Sequence, residues 1–335
     1  MLRIAVLGCG RIGVMHAENI AKHPRAALAG VFDVYEPAAE ATAQKHGVTK
    51  FETAEAVLAS DAVDAILIAT STATHADFIE AAVAAGKPVL CEKPIDLSLD
   101  RVAACAARIA GTTLPIMLGF VRRFDAGHRA VRDAVRAGDI GDLWQVTITS
   151  RDPSMAPEAY VRASGGIFRD MTIHDFDMAR FVLGEEVTEV TATGSRLVDP
   201  ALMADCDDYD MAVVTLKTAS GKQAVITNSR QAVYGYDQRV EALGSTGMAV
   251  SENRRMHNMQ LWSETRTAQG APLQNFFIDR YAEAFAAEID AFVDAIAGGF
   301  APEVGFDDGH QALLLAEAAI RSVREGRTVH TSEWS

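Results

Sequence analysis

The hexapeptide GCGRIG at residues 8–13 constrains this chain more than any other stretch. It follows the apolar run LRIAVL (2–7), which reads as a short buried strand, and precedes GVMHAENIAKH, which reads as a helix. A G-x-G-x-x-G turn between a strand and a helix is the phosphate-cradling fingerprint of a first βαβ unit. Gly8 permits the tight turn, Gly10 lets the backbone approach a pyrophosphate, and Gly13 lets helix and strand pack closely. With Arg11 and Ile12 between them, these glycines are the candidate cofactor-binding loop, and the free N–H groups of the helix start face the phosphates. Asp33 ends the next strand, AALAGVFD (26–33), 20 residues after Gly13. A carboxylate there accepts hydrogen bonds from a ribose 2′-OH and repels a 2′-phosphate, which favours NAD over NADP. Tyr35, just beyond, suits either adenine packing or a plain surface position.

The pattern of strand then helix repeats with AVDAILIAT (62–70), PVLCEKP (88–94) and PIMLGF (115–120). Such alternation implies right-handed βαβ crossovers, hence an α/β Rossmann fold with a doubly wound parallel sheet over residues 1–120. The texture changes after a helix at 125–138. DLWQVTITSR, EVTEVTATGSRLV, DDYDMAVVTLKT, KQAVITNSRQ and DQRVEALGSTGMAVSEN alternate with period two between polar turns. Residues 121–335 therefore read as a C-terminal α+β domain with a large, mostly antiparallel open sheet, covered by helices near 170–183, 277–298 and 307–325. The glycines of ALGSTGM (242–248) belong to a hairpin turn, not to a second phosphate loop.

The formal net charge of −14 argues against nucleic acid or an anionic membrane as partner. No run of about 18 uncharged apolar residues suggests a transmembrane helix, and the apolar start is too short for a secretory signal. Four scattered cysteines (Cys9, Cys91, Cys105, Cys206) fit a reducing compartment and no structural zinc. The cytoplasm is the expected location.

Three stretches carry candidate chemistry. In VLCEKPI (89–95), Lys93 stands beyond the carboxyl end of a buried strand, where ligands of open α/β sheets bind. Its ammonium can stabilise a developing alkoxide, with Glu92 close enough to influence its charge; a solvated loop lysine is the competing reading. In IATSTATHADFI (68–79), Thr70, Ser71, Thr72 and His75 are expected to border the cofactor, although Ser71 or Thr74 also suit helix capping. In GGIFRDMTIHDFDMARF (165–181), helical spacing puts Asp170 and His174 on one face. A carboxylate beside an imidazole fixes its tautomer and raises its basicity, which makes an acid/base unit. D-x-x-x-H supplies only two ligands, short of a metal site, and no nucleophile elbow is present. Thr172 and Asp175 match a T-x-x-D capping box with Gly184 as helix end. FDDGHQ (306–311) reads as the cap of the last long helix.

GCGRIG with its distal Asp33, CEKP, GFVRRFD, GGIFRDMTIHDFDMARF and DGHQALLLAEAAIRSVREGRTV together resemble the Gfo/Idh/MocA family of sugar and polyol dehydrogenases, over nearly the whole chain. SRDP (150–153) and YGYDQRVE (234–241) resemble its inositol-oxidising members. The resemblance implies NAD-dependent oxidation of myo-inositol to its 2-ketone, with His174 as base, Asp170 orienting it, and Lys93 holding the reacting oxygen. Glu92 comes with the cofactor site. Arg123, Asp152, Asp177 and Tyr236 are implied polyol contacts, with the tandem Arg122 and Arg123 also suited to interdomain ion pairs. It further implies a candidate cis bond at Lys93–Pro94, no metal, and a homotetramer assembled through the C-terminal sheet. Oxidation of another cyclic polyol or sugar, such as scyllo-inositol or an aldose, is the alternative; a catalytically silent dinucleotide-binding regulator is the third reading.

Overall fold

A computed structural model describes residues 1–334. The chain divides into two compact units, Met1–Val121 with Phe285–Gln311, and Arg122–Ala284 with the chain from Ala312 onward.

The first unit holds strands β1 (Leu2–Leu7), β2 (Ala26–Phe32), β3 (Thr49–Lys50), β4 (Ala65–Ile68), β5 (Val89–Cys91) and β6 (Ile116–Leu118). They form one sheet in the order β3-β2-β1-β4-β5-β6, every pair parallel. Ile4–Leu7 and Ala65–Ile68 have no exposed surface, as expected of central parallel strands covered by helices on both faces. The helix Arg11–Lys22 buries Gly13, His16, Ala17 and Ile20, the single stripe that a 3.6-residue period produces. The strand order reverses between β1 and β4, the switch point where such sheets take ligands.

The second domain had been expected to run unbroken from 121 to 335. Instead Phe285–Gln311 packs with the first unit. Leu118 N–H donates to Val304 C=O (3.1 Å), and Asp290 and Asp294 on the helix Ala282–Gly298 meet His23 and Arg25 (2.8 and 2.5 Å). Helical periodicity shows that this segment has an apolar face; it does not say which sheet that face covers.

The second unit holds β7 (Leu143–Arg151), β8 (Val187–Ser195), β9 (Met211–Thr218), β10 (Gln223–Ser229), β11 (Asp237–Gly244), β12 (Met248–Ser251) and, after a small separate hairpin of β13 (Gln260–Ser263) and β14 (Arg266–Gly270), β15 (Val329–His330). The large sheet runs β12-β11-β7-β10-β9-β8-β15. Its neighbours are antiparallel except β7 and β10, which are parallel. In β9, Ala212, Val214 and Leu216 are buried while Val213, Thr215 and Lys217 are exposed, the alternation of a sheet with one covered face. The helices Ala126–Ala137 and Ile173–Leu183 lie against this sheet. Trp144, Val213, Leu243, Met248 and Val250 remain exposed. Asp125 caps Ala126–Ala137 by accepting from the N–H groups of Gly127 and His128, both at 3.0 Å. Within FDDGHQ, the stretch expected to cap the last helix, Asp308 accepts from Gly305 N–H (2.9 Å).

The glycine turn and the helix it opens approach each other too closely to admit a side chain. A Cβ on Gly13 would lie 1.9 Å from the Gly8 carbonyl oxygen, and Gly8 itself has φ +96°. Gly13→Ala should therefore cost roughly 1–3 kcal/mol, seen as a lower urea midpoint with unchanged slope. An unaltered midpoint would show that the turn relaxes freely.

Candidate functional site

In the first unit, Gly10 is the N-cap of Arg11–Lys22 and supplies no side-chain cap, and the first turn holds no acidic residue. A Cβ on Gly10 would meet nothing within 4 Å. An uncapped helix start with open space before it and no competing carboxylate fits a dinucleotide's pyrophosphate. Asp33 accepts from Cys9 N–H (2.6 Å) and from Tyr35 N–H (2.7 Å). The Asp33 carboxylate is thus tied to the glycine loop itself, and each oxygen keeps a further lone pair. Arg11 and Tyr35 are exposed, and Ile12 is half-buried.

Beyond β4, Thr70 Oγ1 meets Thr74 Oγ1 (2.7 Å). Ser71 is exposed, and Thr72 begins a short 3₁₀ turn, Thr72–Thr74. His75 is buried, with Nδ1 2.7 Å from Pro94 O and Nε2 3.1 Å from Thr70 O. Burial holds its pKa below the usual imidazole value, so the neutral ring donates from one nitrogen only. It links the end of β4 to the Glu92–Lys93–Pro94 turn, whose Lys93–Pro94 bond is cis. Glu92 N–H donates to Ile68 O (2.9 Å), its carboxylate meets His16 Nε2 (2.8 Å), and Lys93 is half-buried.

In the second unit the strand register gathers the polar groups. Because β10 runs parallel to β7 with Ser229 opposite Arg151, both strands end together. The next residues, Arg230 and Asp152, emerge side by side, with Asp152 N–H bonded to Ser229 O (2.9 Å). β11 starts at the same edge, Asp237 opposite Arg151, which brings in Tyr236. Over this edge lies the stretch 165–181. It is not one regular helix: Phe168–Thr172 forms a π-helical turn before the α-helix Ile173–Leu183. Asp170, in that turn, accepts from Tyr160 Oη (2.7 Å) and from Arg230 Nη1 (3.3 Å). Arg230, 1% exposed, also donates to Asp208 (3.1 Å), whose other oxygen accepts from Ile167 N–H (2.8 Å). Every residue of Ile173–Leu183 is buried except His174. Burial and the neighbouring Asp170 push the Asp152 carboxyl up to about 6, against the pull of Arg122 and Arg230.

Thr172 and Asp175 do not form the expected capping box. Thr172 makes no cap bond; its hydroxyl reaches Asn228 Oδ1 (2.7 Å). Asp175 is buried between Arg122 Nη1 (2.6 Å) and Asn228 Nδ2 (2.7 Å). The π-turn continues helical backbone through Thr172, which removes the free N–H groups that a box would serve. Arg122, weighed as an interdomain link, is thereby paired inside its own unit. Arg123 and Asp177 meet in a buried fork, Nε to Oδ2 at 2.8 Å and Nη2 to Oδ1 at 2.5 Å. Tyr236 is buried edge-on to Phe276 and Tyr281. Tyr160, Asp208, Asn228, Arg230 and Tyr281 were not singled out from sequence. Only the alternation that makes NSR the end of a strand hinted at Arg230.

The Arg123–Asp177 fork is a desolvated pair, so removing one partner strands the other. Arg123→Met should lower stability by about 3–5 kcal/mol, and Arg123→Met with Asp177→Leu should recover most of it. A double variant no more stable than the single would mean that the pair is not the source of the loss.

Residues 2–120 match the family model of an oxidoreductase family with an NAD-binding Rossmann fold, and residues 128–250 match the GFO/IDH/MocA C-terminal domain. The chain is 49% identical over 331 residues to inositol 2-dehydrogenase of Rhizobium meliloti, covering 98% of each protein. It superposes with a TM-score of 0.95 on a myo-inositol dehydrogenase from Corynebacterium glutamicum, at 44% identity and 98% coverage of each chain. A scyllo-inositol dehydrogenase from Lactobacillus casei, solved with bound NAD(H) and scyllo-inositol, gives a TM-score of 0.92 at 29% identity and 99% coverage of each chain. With an NAD-type glycine loop in one unit and both domain models matched in order, the chain belongs to the GFO/IDH/MocA family of NAD-binding oxidoreductases.

Proposed function

We propose that this protein is an NAD-dependent inositol 2-dehydrogenase that oxidises myo-inositol to 2-keto-myo-inositol. The observation that carries the reading is local to the second unit. In an otherwise buried helix His174 alone reaches a surface, four residues from an Asp170 whose carboxylate Tyr160 and Arg230 hold in place. The full-length likeness to inositol dehydrogenases supports the substrate class.

In this reading His174 takes the proton of the substrate hydroxyl, and Asp170 keeps the imidazole oriented and basic. Lys93 donates to the same oxygen and stabilises its developing negative charge. When bound, NAD supplies the hydride acceptor. Gly8–Gly13 and Asp33 hold the dinucleotide, Glu92 and Thr70–Thr72 border it, and His75 braces the turn beneath. Asp152 and Tyr236 face the ring hydroxyls. Arg123 and Asp177 act on the polyol as one paired unit, which presents less free charge than either alone. A site that pairs each hydroxyl discriminates strongly among polyols. We further assign residues 1–120 to cofactor binding and 121–335, apart from the segment Phe285–Gln311 that packs with the first unit, to substrate binding and assembly, with a homotetramer formed through the exposed apolar face of the large sheet. The four free cysteines agree with a cytoplasmic enzyme.

The test is a turnover panel of inositols, cyclic polyols and aldoses with NAD and NADP. Myo-inositol with NAD should give the highest kcat/KM, and His174→Ala should lower kcat by about 100-fold or more with NAD affinity little changed. Higher kcat/KM for scyllo-inositol or an aldose would move the assignment to that substrate; no activity on any inositol would end it.

Asp152 predicts a pH effect. With its pKa raised to about 6, the group is a neutral acid below that pH and an accepting carboxylate above it. KM for the polyol should fall as pH rises through about 6, and Asp152→Asn should abolish that limb of the KM profile. The same limb in the Asn variant would assign it to another group.

A further inference from the structure

Three polar side chains of the first unit converge. His16 lies on Arg11–Lys22, Glu92 follows β5, and Glu288 lies on Ala282–Gly298; one ligand-type atom from each falls within 4.8 Å of the others. Glu288 is completely buried, and among the described residues neither of its carboxyl oxygens has a hydrogen-bond partner. His16, 1% exposed, spends Nε2 on Glu92 (2.8 Å), leaves Nδ1 unpartnered, and packs edge-on against Phe285, one turn before Glu288 (centroids 5.6 Å apart).

An ionised carboxylate without a donor, beside a second carboxylate, is among the costliest groups a protein can bury. Protonation removes the charge and creates an O–H donor for which Glu92 is the adjacent acceptor. An oxygen of each carboxyl lies within 4.8 Å of the other, a span that the added proton closes directly, through one bridging water or after a small side-chain shift. Burial and then the nearness of Glu92 push the Glu288 carboxyl well above the usual carboxylate range.

We propose that Glu288 is kept as a neutral carboxylic acid that hydrogen-bonds Glu92, so that His16 and Glu288 clamp Glu92 from two sides and position the turn carrying Lys93. Glu288 is a positioning residue, and this role rests on the reading of Lys93 as the group that holds the reacting oxygen. A Glu92 engaged on both sides is withheld from the neighbouring ammonium.

The chemical part is tested without turnover. Infrared difference spectra of wild type against Glu288→Gln at neutral pH should show a deuterium-sensitive carboxylic acid C=O band that the variant lacks. Absence of that band, or a stoichiometric divalent metal in the purified enzyme that Glu288→Gln removes, would overturn the assignment. The positioning part is read from kcat. Glu288→Gln keeps a neutral donor to Glu92 and should stay within about twofold of wild type. Glu288→Met removes the donor, and should hold or raise the thermal midpoint while kcat falls about tenfold or more with KM for NAD little changed. Wild-type kcat in the Met variant, or a Gln variant as impaired as Met, would refute positioning. Lys93→Ala should lose turnover and keep the band. If it turned over normally, the reading of Lys93 and with it the purpose of the clamp would fall, while the band would still report the buried acid.

Discussion

The second unit hangs on one buried cation. Arg230 emerges from the end of β10 with almost no exposed surface and bonds both Asp170 and Asp208. A guanidinium out of water needs compensating charge, and its planar fork can serve two carboxylates at once. Asp208 passes the constraint on by accepting from Ile167 N–H, at the entrance of the π-turn. Asp170, within that turn, is held between Arg230 and Tyr160. The extra residue that a π-turn inserts shifts every side chain before it relative to the helix that follows. The position of Asp170 relative to His174 is therefore set by Arg230 and the sheet edge beneath it, rather than by helical spacing.

The same economy of charge recurs in the helix Ile173–Leu183. A helix buried on every side normally carries no ionised groups, yet this one buries Asp175, Asp177 and Arg180. Asp175 and Asp177 take the adjacent Arg122 and Arg123, and Arg180 takes Glu186 (2.6 Å). Tandem arginines on one segment opposite acids two apart on a helix form a fixed register device, since a one-residue slip would leave two buried charges uncompensated. The first unit works by the opposite means. In a chain of formal charge −14, its glycine loop offers backbone N–H groups and a helix dipole rather than a basic patch.

Legibility in the sequence followed the range of the interaction. GCGRIG and Asp33 were readable because a phosphate turn and the strand after it are local, and the structure joins them by Cys9 N–H to Asp33. Five of the six strands of the first unit, the hairpin at 242–248 and the cap within FDDGHQ followed from periodicity and turn chemistry, while the two-residue β3 was too short to show a period. The capping box at Thr172 and Asp175 failed for an instructive reason: the motif matches a helix start, and a π-turn had already supplied helical backbone before it. Arg230, Tyr160, Asp208 and Glu288 had no local signature. Arg230 looks like any polar residue closing a strand, and Glu288 looks like the polar face of an amphipathic helix until the neighbour it packs on is known.

By itself the sequence determined the elements and the chemistry they carry: a parallel α/β unit opened by a dinucleotide loop, an alternating mostly antiparallel sheet after it, and a short roster of acids, a lysine and a histidine. These follow from two- and three-to-four-residue periods and from turns, which depend on neighbours along the chain. The tertiary structure alone decided that β7 and β10 pair in parallel, so that Asp152 and Arg230 surface together, and that Phe285–Gln311 returns to the first unit, so that Glu288 is buried beside Glu92. Both outcomes depend on which faces meet across more than fifty residues of chain, and hydrophobic burial, being non-directional, writes no partner into the sequence pattern.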